Sequence, residues 1–216
     1  MLMSLFEVYD PFTFYGGLSL NWFVLVFIYF IFFSVFWLVP GTYYYLFDFL
    51  LSALVREFSN FYSVLKMKVG LLVFICLFLY VLLCNILGLI PYVFACSAHF
   101  VFSISFGLPF WFGLMFLGWF NFTNFMFSHL IPVGTPLILI SFMVLIETIS
   151  NFIRPWSLSI RLMANMISGH LLMSLLGDCG FSVILVQLGL FGFEFFVCFI
   201  QAYVFSALLT LYSGEI

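Results

Sequence analysis

The chain has 216 residues, of which 67% are hydrophobic and only 6% charged. Soluble domains carry roughly 25% charged residues, so there is too little polar surface here to coat a globule in water, and the solvent must be lipid. The net charge of −3, with five Lys plus Arg, argues against a nucleic-acid partner.

Residues 1–41 hold an N-terminal segment and a first span. Met1–Gly17 contains Glu7, Asp10 and Pro11 and lacks a basic n-region, so no cleavable signal is expected. Trp22–Val39 is apolar apart from Ser34 and is stopped by Pro40-Gly41, which suits a spanning helix. Residues 42–68 read differently. Asp48, Ser52, Arg56, Ser59, Asn60, Ser63 and Lys66 recur at three- or four-residue steps, a polar stripe on a helix lying along the membrane surface. With Lys68, this stretch holds three of the five basic residues, so the positive-inside rule directs it to the cytoplasm or a mitochondrial matrix.

Residues 69–91 form a second expected span, closed by Gly88 and Pro91, with Asn85 its only strongly polar residue. Asn85 alone reads as a helix–helix hydrogen-bonding group. A third span is expected within 100–128, with Gly107 and Pro109 breaking its first part and the helix proper near Pro109–Phe127. His99 and His129 sit near span ends and read as interfacial or capping residues.

Residues 132–177 show no obvious loop. As one helix, Val133–Leu176 would extend about 66 Å, against a bilayer core of about 30 Å. It must tilt, bend at Pro155 or split. Gly177-Asp178-Cys179-Gly180 is the next clear turn, and 181–212 is another long run of about 48 Å if helical. The expected fold is therefore an all-α integral membrane protein with about five spans. The last two are long and tilted as a hairpin, and one amphipathic helix lies on the surface. The five cysteines show no metal spacing and read as small apolar residues; no metal or cofactor is expected.

Arg161 carries the functional argument. A cation at the bilayer centre costs about 2.5–3.5 kcal/mol on insertion scales, and a chain this poor in charge would not keep one without a use. Glu147, Asn151, Arg154, Arg161 and Asn165 fall within about 40° of one line at 100° per residue. On the following helix Gln187, Glu194 and Gln201 are seven apart and share a face. Pairing the two stripes would shield both from lipid. Glu147, Glu194 and His170 can take up and release protons, whereas Arg161 keeps its proton and can only hold a carboxylate or block protons from passing straight through. A titratable path interrupted by a fixed cation keeps two half-channels separate. His170 lies about 180° from Arg161 on an ideal helix and points elsewhere, toward the second helix or another aqueous cavity.

The motifs Pro132-Val133-Gly134-Thr135-Pro136, Ile146-Glu147-Thr148-Ile149-Ser150 and Ile153-Arg154-Pro155-Trp156-Ser157-Leu158-Ser159-Ile160-Arg161-Leu162-Met163-Ala164-Asn165, running on to Gly169-His170-Leu171-Leu172, resemble subunit a of rotary ATP synthases. Glu194 followed by Ile200-Gln201-Ala202-Tyr203 is similar too, and Asn85-Ile86-Leu87-Gly88-Leu89-Ile90-Pro91 looks like an earlier motif of that family. His170 with Glu194 resembles the mitochondrial version. The resemblance implies a stator subunit beside a ring of subunit c, multi-pass in the mitochondrial inner membrane, among lipids and the other membrane and peripheral-stalk subunits. It implies that Arg161 faces the ring carboxylate. Asn165, His170, Glu194 and Gln201 would serve an intermembrane-space path and Glu147 a matrix-side exit, with Asn85 and Asn151 as possible support. Arg154, counted with this support, adds a cation where some members of that family have an amide and is given no catalytic role. Protons rather than sodium ions follow from the resemblance alone. No GxxxxGK[ST] loop occurs, so the chain is not expected to be an enzyme by itself. The competing readings are a stand-alone proton-coupled secondary transporter and a haem-binding electron carrier; the three His offer no paired axial ligands.

Overall fold

The computed structural model describes residues 9–12, 18–32, 41–61, 68–90, 93–121, 123–131, 136–180 and 183–215. Helices are α1 (Phe23–Phe32), α2 (Thr42–Phe61), α3 (Lys68–Leu89), α4 (Phe100–Asn121), α5 (Thr123–His129), α6 (Leu137–Asp178) and α7 (Ile184–Glu215). Short 3-10 turns occupy Leu20–Trp22 and Cys96–Ala98. Among the described residues there is no strand. Among the described residues four helices, α3, α4, α6 and α7, are long and apolar enough to cross a membrane. Residues 33–39 of the expected first span, Lys66, Pro91, Pro132–Thr135 and the His129 side chain lie outside the described residues.

The core forms where α3 meets α7. Helix α3 is apolar on every side, the composition of a helix with no water-facing surface. Its Phe78 and Val81 are fully buried with Ala202, Phe205 and Leu209 of α7. The same face of α7 carries Ser206, Thr210 and Ser213, which are also buried. Their hydroxyls donate to backbone carbonyls one turn back, at 2.6–3.1 Å, so they enter an apolar seam with their hydrogen bonds made. Helix α2 is fastened to this seam by Phe58, which stacks on Tyr203 at 6.0 Å and meets Phe78 edge-on at 6.3 Å. Leu51 and Leu54 pack beside it. The polar residues Asp48, Ser52, Arg56 and Ser59 point outward, and so do Tyr45, Leu46, Phe49 and Leu50.

One expectation needs correction. The third span does not begin near Pro109. Helix α4 starts at Phe100 and runs through Gly107 and Pro109 without a break. Proline removes one N–H and so frees the Ser105 carbonyl, a local loss that flanking packing outweighs in a membrane helix. That packing is visible: Phe100 lies 6.1 Å from Trp156, and the buried Trp111 lies 6.0 Å from Phe152. Of the alternatives open for residues 132–177, the structure takes the single long helix, unbroken at Pro155. It is one helix of 42 residues, about 63 Å long. It ends in the expected turn, where Gly180 takes φ +82°, a conformation that suits glycine after a helix.

Helices α6 and α7 are the least covered of the long helices. Their outward rows include Phe142, Ile149, Ile153 and Ile160 on α6 and Leu185, Leu188, Phe196 and Ile200 on α7. Replacing Phe205 with Ala at the buried seam should destabilise the fold by about 3 kcal/mol. The measurement is the thermal dissociation temperature of the chain from its membrane assembly. An unchanged temperature would show that α3 and α7 do not form the core.

Candidate functional site

Polar side chains on α6 fall into two groups separated along its length. The first lies toward the C-terminal end. Asn165 Nδ2 donates to Gln201 Oε1 of α7 at 3.1 Å, and Gln201 is only 6% exposed. A bond between two neutral amides lets both enter an apolar interface without a bare dipole on either. One helical turn further on, Gly169 makes room for Glu194. A Cβ there would stand 2.8 Å from the carboxyl carbon. Asn85 of α3 closes this region from the opposite side. The cavity here has a volume of about 260 Å³ and is lined by Asn85, Asn165, Ser168, Glu194 and Gln201 among Leu, Met and Phe side chains. His170 does not line it. Its ring lies against the Gly88 carbonyl and meets the Tyr9 ring edge-on at 6.2 Å. The Tyr9 hydroxyl donates to the Ile167 carbonyl at 3.3 Å. Burial, and then the nearby Glu194 charge, hold the Tyr9 phenol above its ordinary pKa.

The second group lies toward the N-terminal end of α6. Arg154 pairs with Glu147 at 3.4 Å, and its guanidinium sits 5.0 Å above the Tyr212 ring. A pair two helical turns apart needs a long side chain to reach back, which Arg supplies. Because Pro155 has no N–H, the Asn151 carbonyl loses its helical partner and adds a free acceptor beside this pair. A cavity of about 700 Å³ is lined by Glu147, Asn151, Arg154 and Tyr212, with Trp111 and Trp119 of α4 and Met126 of α5. The two polar stripes are therefore not paired along their whole length. Asn165 and Gly169 meet the Glu194–Gln201 face, while Glu147, Asn151 and Arg154 turn to the space bounded by α4 and α5. The lateral offset of the helices decides this, and helical phase alone does not contain it.

Arg161 stands between the groups, about 10 Å along the axis from Arg154 and about 6 Å from Asn165. It is exposed on the uncovered flank, beside Ile160 and near Trp156 and Ser157. Among the described residues it has no ion-pair partner, and it lines neither cavity. No group of three His, Cys, Asp or Glu gathers among the described residues, and all five cysteines are free.

Residues 18–214 match the family described as ATP synthase A chain. The chain belongs to the ATP synthase subunit a family. It is 42% identical to ATP synthase subunit a of Drosophila melanogaster, 44% to that of Locusta migratoria and 42% to that of Aedes aegypti, each match covering the whole of both chains. The family match takes in both cavities and Arg161. Sequence reasoning missed Tyr212, which stands eleven residues after Gln201 and so only about 20° around α7. The signal was present, but tyrosine reads as an apolar residue in a hydropathy scan.

Gly169→Ala should fold, because the group in its way is the far end of a flexible side chain, but the Glu194 carboxylate must move. Proton conductance of the assembled membrane sector should fall several-fold. An infrared carboxyl band for Glu194 that stays in place would contradict this.

Proposed function

We propose that this chain is the proton-conducting stator of ATP synthase, forming two half-channels beside a ring of subunit c in the mitochondrial inner membrane. That it is a component of ATP synthase follows from its family. The finer reading rests on one observation: Arg161, exposed and without an ion-pair partner among the described residues, lies on an apolar flank between two polar cavities carried by the same helix. A guanidinium keeps its proton in any protein environment. Placed on a lipid-facing flank it is costly, and a moving partner that brings a carboxylate to it removes that cost.

The reaction then runs in order. A proton enters through the cavity of Asn85, Asn165, Glu194 and Gln201. Glu194 holds it in transit, while the Asn165–Gln201 amide pair orients the groups beside it. His170, outside that cavity, serves the same side. The proton passes to the ring carboxylate as that group leaves Arg161. After rotation the carboxylate releases its proton toward Glu147. Arg161, carrying a permanent charge between the cavities, repels a proton crossing directly. Arg154, tied to Glu147 and Tyr212, shapes the second cavity and takes no proton. Nucleotide chemistry belongs to other subunits. Tyr45, Leu46, Phe49 and Leu50, apolar and outward on α2, suit a helix lying at the lipid headgroups.

A stand-alone transporter would bind substrate where helices are interrupted; α6 and α7 run unbroken past both cavities. Arg161→Ala should abolish ATP synthesis coupled to the proton gradient while the complex still assembles. Arg161→Lys should fail as well, because an ammonium lacks the planar two-point contact of a guanidinium. Glu194→Gln should slow proton delivery by about tenfold or more. Synthesis at the normal rate in Arg161→Ala vesicles would defeat the fixed-charge barrier, and normal flux in Glu194→Gln would move the path elsewhere.

A further inference from the structure

Six buried side-chain atoms among the described residues have no hydrogen-bond partner: Asn85 Oδ1, Ser97 Oγ, His99 Nε2, His170 Nε2, Glu194 Oε1 and Gln201 Nε2. A buried polar atom left dry is costly, and buried groups of this kind are met by ordered water. None of the six belongs to the cavity of Glu147 and Arg154. Asn85, Glu194 and Gln201 line the other cavity, and His170 is next to Gly169 at its wall. The remaining two, Ser97 and His99, come from the connector between α3 and α4, which packs against α3 and α6.

His99 stands at the start of α4, as expected of a span-end residue, and its carbonyl accepts from the Phe102 and Ser103 N–H groups at 3.1 and 3.3 Å; its side chain is turned inward. Its ring is walled by Trp22 at 5.2 Å and Phe94 at 5.0 Å, and it lies against the backbone carbonyl of Tyr9. Tyr9 turns its own ring to His170 on the other side. One residue thus touches two imidazoles, and each presents a bare Nε2. Burial pushes the His99 imidazole below its ordinary pKa, with the Tyr9 carbonyl acting weakly in the other direction. Nε2 is buried and has no hydrogen-bond partner among the described residues. The connector follows the end of α3 remote from Lys68, the side opposite the basic cluster and hence the side from which protons arrive.

We infer that His99 is a proton relay at the outer mouth of the inlet path, with Ser97 orienting the water that serves it; this rests on the function proposed above. Nε2 takes a proton from a hydronium ion on the outer side: one O–H bond breaks, one N–H bond forms and a water is left. The imidazolium then gives a proton to a water on the His170 side: that N–H bond breaks, an O–H bond forms, the hydrated proton is regenerated there and the neutral ring is restored.

The test uses inner-membrane vesicles containing the assembled complex, stripped of its catalytic head. Proton uptake is driven by a potassium diffusion potential and read with a pH dye. His99→Gln keeps the size and one hydrogen-bonding end but cannot shuttle a proton, and it should lower flux roughly tenfold at unchanged assembly. His99→Ala should be slow too, and added imidazole should restore its flux, which a packing role would not allow. Normal flux in His99→Gln with blocked flux in Glu194→Gln would remove His99 from the path and leave the proposed function standing. Normal flux in both would overturn both. Slow His99→Ala that imidazole does not restore would make the role structural and sink the relay. Should His99→Ala fail to assemble, the flux of His99→Gln decides.

Discussion

A charge that cannot be discharged has to be answered by an opposite charge or by water, and Arg161 finds neither a carboxylate of its own chain among the described residues nor a cavity. Everything around it is arranged by that condition. The guanidinium occupies the flank of α6 that the rest of the fold leaves uncovered. The carboxylates that could neutralise it are held elsewhere, Glu147 by Arg154 and Glu194 in the niche opposite Gly169. Free of an internal partner, Arg161 remains available to an external one.

The opposite treatment is given to neutral polar groups. Hydroxyls on α7 bond their own backbone, and Asn165 and Gln201 bond each other across the helix interface. These groups pass into an apolar interior at little cost. What remains unpaired is concentrated on one side of the molecule, where Asn85, Ser97, His99, His170, Glu194 and Gln201 gather. Packing and hydration are thereby segregated. The α3–α7 seam supplies stability, and the unpartnered polar atoms lie where α3, the connector after it, α6 and α7 meet.

Much of this was legible in the sequence because polar residues are rare in it. An apolar run with a single Asn, Glu or Arg marks both the helix and the residue worth attention, so α3, α6, α7 and the Arg161 and Glu194 faces could be read from spacing. The start of α4 could not, since Pro109 breaks a helix in water and is tolerated where neighbouring helices hold the chain. The division of the α6 stripe was also hidden. Helical phase says which residues share a face, but which neighbour covers each stretch depends on how α4 and α7 are offset. Tyr212 and His99 escaped for a different reason. One counts as apolar, the other resembles an end cap, and their contacts come from segments distant in the chain.

Pro155 lies between Arg154 and Arg161 and is the one proline inside α6. A helix lacking a hydrogen bond bends most easily where that bond is missing. Thermal flexing of this long rod therefore concentrates at a joint between the two polar groups. Motion there swings the Glu147 arm against the Arg161 arm while the Asn165–Gln201 contact travels unchanged with the second. Bending at Pro155 would change the angle between the two arms without loosening the Asn165–Gln201 contact.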